Sequence, residues 1–336
     1  MIEKDNNIKK VRESNFELCR LICMLYIVVY HLIIHVPLVY ETTIWGRPLR
    51  TLCHIGVIVF VMISGYFGIK RKWSGLLKLA LSVSFYNLTG LAIACLCYGQ
   101  PFELKSLLAI FFPITHGNYW FITSYAVLYL LAPYVNKVIQ DMNKREFLSL
   151  IGILLVIVCY GGGLMDSKIG DGRGILAFIL SYVIGNFIHK FYADGIEYPI
   201  VGNRSGIVYF TAATFLFCAI AFMPTLLSKA INFISFGYNE VGLYVMSVIF
   251  LLMFQGIKLK SKIINWLALS TLGIYLFHEN KNIGQLVVYP LYEKLTTTIN
   301  NEYLLLFVHI AFAIVILITA IIVDRIRQLI FVKVYK

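Results

Sequence analysis

The first long apolar run of the chain carries four ionisable residues: Glu17, Arg20, His31 and His35. An ionisable group near the centre of a bilayer costs roughly 2.5–3.5 kcal/mol on insertion scales, so each is a functional candidate by default. At about 100° per residue, Arg20 and His31 point within about 20° of one another, and Glu17 and His35 fall within about 60° of Arg20. One face of an otherwise apolar helix is therefore polar along its length. The rise of about 1.5 Å per residue puts His31 roughly 16 Å from Arg20. An imidazole titrates near neutrality and suits proton transfer; a guanidinium suits phosphate. Taken singly, Arg20 reads as a boundary arginine snorkelling beside Glu17, and His31 as a neutral histidine bonded between helices. The whole stripe favours a water-accessible path.

A second stripe lies late in the chain. Thr271, Tyr275, His278 and Asn282 follow the i, i+4, i+7, i+11 spacing of one helix face, with Glu279 beside His278. On the inner side, Ser64-Gly65-Tyr66-Phe67 is followed by Lys70-Arg71-Lys72. Three adjacent cations hold topology or bind phosphate. The seven cysteines are odd in number and lie mostly in apolar runs, as packing residues do. Cys95 and Cys97 lack a metal-type partner pair, so no metal site is expected.

The elements that must position these residues follow from composition. Of 336 residues, 60% are hydrophobic and only 14% charged; the mean hydropathy is +0.80. That excludes a soluble enzyme, a secreted disulfide scaffold and a disordered regulator. Runs of about 20 apolar residues, the length of a bilayer-crossing helix, fall near 18–38, 51–70, 76–98, 117–139, 146–163, 174–190, 206–223, 240–257, 263–280 and 303–323. The expected fold is all-α: a polytopic membrane protein of about ten transmembrane helices with both termini cytoplasmic. Shorter apolar pieces near 104–115, 225–237 and 284–292 read as interfacial or re-entrant.

With the N-terminus inside, 19 of the 29 Lys and Arg residues face the cytoplasm and 8 face out, with Arg20 and Lys78 inside helices. The net charge of +12 is then mostly a positive-inside signal. Trp45 and Trp120 fall at the outer boundary and Trp73 and Trp266 at the inner one, as an aromatic belt requires. Six of the seven histidines lie on the outer side, with only His189 inside. No cleavable signal, linker, internal repeat or appended soluble domain is evident, so residues 1–336 read as a single membrane-embedded domain.

Together these features resemble the integral-membrane acyltransferase family 3. The sharpest element is the Arg-x10-His motif of the first helix, matched by Arg20 and His31. The run Phe60-Val61-Met62-Ile63-Ser64-Gly65-Tyr66-Phe67 looks like the family's Ser-Gly-aromatic end of helix 2. Tyr119-Trp120-Phe121-Ile122 running to Leu131-Ala132-Pro133 is a third match. Ser270-Thr271-Leu272-Gly273-Ile274-Tyr275-Leu276-Phe277-His278 is a fourth, and Arg173 to Gly185 a weaker one. The basic triplet is Lys-Arg-Lys instead of all Arg, and the esterase domain of some relatives is not seen.

The resemblance implies an acetyl-CoA-dependent O-acetyltransferase of the bacterial plasma membrane, acting on extracytoplasmic or lipid-linked sugars. Acetyl-CoA is the co-substrate and no further cofactor is implied. Arg20, Ser64, Lys70, Arg71 and Lys72 would bind the donor. His31 would act as general base or carry the acyl group transiently, with Arg20 and Glu17 in support. Tyr275, His278, His35 and Trp120 would serve the acceptor or the transition state; Tyr275, Ser64 and His278 are all open as oxyanion donors. A glycan transporter or flippase is the main alternative, and a non-catalytic assembly subunit the second. The aromatics of the outer loops, Tyr40, Trp45 and Tyr119, suit either sugar stacking or interfacial anchoring. No nucleic acid partner is expected, and the oligomeric state is not readable.

Overall fold

The first helix, α1 (Ser14–His35), is the axis of the molecule, and most of its apolar side chains are buried. The computed structural model describes residues 12–36, 43–116, 119–164, 172–193 and 238–332, with 215 and 219 between. The apolar runs near 206–223 and 225–237, and Tyr40, lie outside the described residues. Following α1 are α2 (Gly46–Cys53), α3 (Ile55–Phe67), α4 (Trp73–Tyr98), α5 (Leu104–Phe111), α6 (Trp120–Gln140), α7 (Lys144–Leu155) and α8 (Ile175–Tyr192). Then come α9 (Val241–Gln255), α10 (Lys262–Leu267), α11 (Thr271–His278), α12 (Tyr289–Thr296) and α13 (Glu302–Ile330). No strand occurs among the described residues.

Among the described residues, six stretches are long and apolar enough to cross a membrane: α1, Pro48–Phe67, α4, α6, α8 and α13. The chain is a multi-pass, all-α membrane protein. Three other expected spans take different forms. The run at 146–163 is α7 continued by a π-helical turn, Val156–Leu164. The run at 240–257 is α9, a shorter apolar helix. The run at 263–280 is broken: a 3-10 turn, Ala268–Ser270, separates α10 from α11. The run at 206–223 is among the residues not described.

The 303–323 span extends further than its hydropathy suggests, to Ile330. Its last turns carry Asp324 and Arg327, both buried, with the Arg327 guanidinium 2.8 Å from the Asp324 carboxylate. Asp324 also accepts from the Tyr86 hydroxyl and Gln328, and Arg327 donates to Ser82. Arg327, one of the 19 cations counted on the cytoplasmic side, is thus an internal cation. Hydropathy sums miss such a residue because they score its charge and not its partner.

α3 and α8 pack backbone against backbone. The reason is two glycines: a Cβ on Gly65 would fall on the Tyr182 carbonyl, and one on Gly185 on the Met62 carbonyl. Trp45 is buried and donates from its ring N–H to the Glu302 carbonyl at 3.1 Å. It packs α2 against α13 and is not part of a lipid-facing belt, whereas Trp73 and Trp266 are exposed. The short 104–115 piece is α5 plus one further turn. It is tied to α4 by Ser84 and Asn87 donating to the Ile110 and Ala109 carbonyls, both at 2.7 Å.

Candidate active site

α1 packs on both α3 and α11, so its polar stripe meets two different environments at its two ends. At the far end, the His31 Nδ1 lies 2.9 Å from the His278 Nε2, joining residues 247 apart in sequence. The other His278 nitrogen, Nδ1, is 2.6 Å from the Ile274 carbonyl, one turn back in α11. A carbonyl only accepts, so His278 carries its proton on Nδ1 and offers the Nε2 lone pair. His31 therefore donates from Nδ1, and its own lone pair sits on Nε2. Geometry fixes both tautomers.

Glu279 completes the cluster. One of its oxygens is 3.4 Å from the His31 Nδ1 and 3.4 Å from the His35 Nε2. The same oxygen accepts the Tyr289 hydroxyl at 2.6 Å. The Tyr289 ring stacks on His35, with centroids 4.1 Å apart. Tyr289 comes from the 284–292 piece, which is a π turn, Gly284–Val288, leading into α12. A π turn widens the helix and redirects the side chains after it. Here it follows directly on the turn held by Asn280, whose side chain caps Lys281–Ile283 and donates to the Tyr86 carbonyl and the Tyr119 hydroxyl.

In sequence Glu279 is visible only as the neighbour of His278, and Tyr289 does not stand out. Glu279 is adjacent to His278 and so falls off the helical face that the i, i+4, i+7 spacing picks out. Its signal is the end of α11 at His278, which frees the next residue to turn inward. Asn282, expected on that face, lies beyond the helix end, and Asn280 takes the structural role instead. Of the six histidines expected on one side, three converge here. His54 packs between Tyr30 and Tyr238, His309 meets the Tyr292 hydroxyl at 2.5 Å, and His116 is exposed.

The other end of α1 is a separate centre. Arg20 donates to the Glu17 carboxylate at 2.6 Å, and Arg12 lies 3.5 Å from the same oxygen. The Arg20 guanidinium also sits over the Phe67 ring, at the end of α3. Ser64 donates to the Phe60 carbonyl one turn back and meets the Tyr125 hydroxyl at 3.2 Å. Glu17 and Arg20 thus do not meet His31; they share its helix, not its contacts.

Aromatic rings bridge the two centres. Tyr125 stacks on Phe121, Phe121 meets Tyr275 at 5.5 Å, and Tyr275 meets His278 at 6.1 Å. Trp120 flanks this ladder, packed against Phe178, Tyr238 and the Arg173 guanidinium. Gly172 holds a φ of +77°, and a Cβ there would strike Tyr238. That turn sets Arg173 over the two rings.

Lys70, Arg71 and Lys72 are exposed in the loop between α3 and α4. The loop is pinned from below: the Tyr182 hydroxyl accepts from the Ile69 N–H and donates to Asn136, which returns a bond to the Ile69 carbonyl. Arg71 reaches the Leu130 carbonyl of α6 at 3.3 Å and covers the Tyr134 ring. Pro133 lacks the N–H that would bond the Tyr129 carbonyl in the α6 ladder, one residue before the carbonyl that Arg71 reaches.

A family model described as an acyltransferase domain, that of acyltransferase family 3, matches residues 13–324. No curated protein and no solved structure matches the chain.

Proposed function

The chain belongs to acyltransferase family 3, and on that premise we propose that it moves an acetyl group from cytoplasmic acetyl-CoA to a hydroxyl of an extracytoplasmic or lipid-linked sugar. It would do so as one domain of the bacterial plasma membrane, serving a cell-surface polysaccharide. The observation that carries the reading is the contact of two buried imidazoles: the His31 Nδ1 is 2.9 Å from the His278 Nε2 and the His278 Nδ1 is 2.6 Å from the Ile274 carbonyl, so neutral rings leave a lone pair on the His31 Nε2. That is the form a general base requires.

In this reading the sugar hydroxyl gives its proton to the His31 Nε2 as its oxygen attacks the thioester carbonyl. The imidazolium is stabilised by Glu279, 3.4 Å from Nδ1. Collapse of the tetrahedral intermediate expels the CoA thiolate, which takes the proton back from His31. His278 has both nitrogens occupied, so we assign the oxyanion to the Tyr275 hydroxyl. His35 and Trp120 line the acceptor side. At the cytoplasmic end Arg20 and the Lys70-Arg71-Lys72 loop bind the CoA phosphates. Glu17 orients Arg20, and the pantetheine arm runs from Ser64 along the Tyr125–Phe121–Tyr275 ladder. No prosthetic group is needed.

The test is acetyl transfer in membranes, paired with mass spectrometry of surface glycans. His31→Ala and His31→Gln should lower transfer by about 10²–10⁴-fold, the usual worth of a general base, and the glycan should lose an acetyl group. Near-normal transfer by either variant at a normal protein level would overturn the assignment.

A further inference from the structure

The His31, His278 and Glu279 ligand atoms all lie within 4.8 Å of one another. Two imidazoles and a carboxylate are a ligand set suited to zinc and its neighbours. With Zn–N and Zn–O distances of about 2.0–2.2 Å, tetrahedral ligand atoms stand about 3.3–3.5 Å apart. The His31 Nδ1 to Glu279 separation of 3.4 Å already matches. The His31 to His278 separation of 2.9 Å needs to open by about 0.4 Å, and the His278 to Glu279 separation, within 4.8 Å, needs to settle to the same value, which side-chain rotation must supply. The outer partners are those of metal sites as well. His278 bonds its second nitrogen to the Ile274 carbonyl, and Glu279 accepts the Tyr289 hydroxyl; such contacts orient metal ligands.

We infer that His31, His278 and Glu279 form a Zn2+ site whose occupation turns off base catalysis. The second half rests on the transferase reading above. A neutral histidine has one N–H and one lone pair. Zinc takes the Nδ1 lone pair, so the proton of His31 must move to Nε2. The Nε2 then donates and no longer accepts, and the base is gone without any change in net proton count. His278 already presents its Nε2 lone pair and needs no such shift. Three protein ligands leave a fourth position for water.

The test uses the purified full-length protein in nanodiscs. Co2+, as a spectroscopic stand-in for Zn2+, is expected to give tetrahedral visible absorption at one equivalent per chain, displaced by Zn2+. His278→Ala and Glu279→Gln should abolish that signal while melting normally, and His116→Ala, at an exposed histidine, should retain it. Wild-type protein without the signal, or both site variants with it unchanged, would overturn the site. In the transfer assay Zn2+ should inhibit and a chelator should restore activity. Stoichiometric Zn2+ without inhibition would overturn the tautomer argument. The Co2+ titration needs no turnover, so loss of the transferase reading and loss of the metal site are told apart.

Discussion

The polar stripe of α1 divides its labour between its ends, and single substitutions should separate them. In the proposed reaction His31 is the base, and His278, which touches it, holds its tautomer. Replacing His278 with Ala removes the nearer acceptor of the His31 Nδ1–H, at 2.9 Å. The Glu279 carboxylate, 3.4 Å from Nδ1, is then left to hold the proton there, and the ring loses its closer anchor. We expect kcat to fall by about 10²–10⁴-fold, the range seen when the partner that orients a catalytic histidine is lost. The KM for acetyl-CoA should stay within about twofold. Arg20→Ala should do the reverse, raising the KM for acetyl-CoA with a smaller change in kcat, because it removes a binding contact at the other end of the helix. Steady-state kinetics on the two variants reads the split. Equal effects of both on kcat alone would contradict two centres.

At the scale of elements, small residues and buried partners set where the functional side chains stand. The Ser-Gly pair closing α3 is legible as a motif in sequence, and the structure gives Gly65 a mechanical reason: the Tyr182 carbonyl of α8 occupies the place of its Cβ. Gly65→Ala should overpack this crossing, at a cost of about 1–3 kcal/mol, seen as a lower midpoint in a thermal or denaturant melt of the protein in detergent. The Asp324–Arg327 pair was not legible. Hydropathy ends the last span before it, and only the fold shows Tyr86, Ser82 and Gln328 surrounding it. Removing one partner leaves a buried charge, so Arg327→Ala should cost about 3–5 kcal/mol. The effect should reach the active site, since Asp324 abuts Gly273 of α11, the helix that ends at His278. Sequence periodicity found His31 and His278 because each lies on an apolar helix, where a polar residue stands out. It marked Glu279 only as the neighbour of His278 and passed over Tyr289, because both sit at helix ends, where polar residues are ordinary, and only tertiary contact distinguishes them.

For the whole molecule, the open question is whether Lys70-Arg71-Lys72 orients the chain or binds its donor. The counts decide how to ask. Nineteen cations face the expected cytoplasmic side and eight the other. Neutralising three leaves 16 against 8, or 15 against 8 once the buried Arg327 is set aside. A positive-inside bias of that size still fixes the orientation. The triple alanine variant should therefore insert normally, as protease protection of a C-terminal tag would report. Its loop should also keep its place, because the pins at Ile69 are made by Tyr182 and Asn136 and not by the cations. What changes is the field at the mouth of the path to Arg20. Exposed cations attract phosphates through water and are screened by salt, with a Debye length near 8 Å at physiological ionic strength. The wild-type KM for acetyl-CoA should then rise with added salt, and the triple variant should start higher and respond less. A shared salt slope would mean that the triplet does not meet the donor phosphates and serves topology alone.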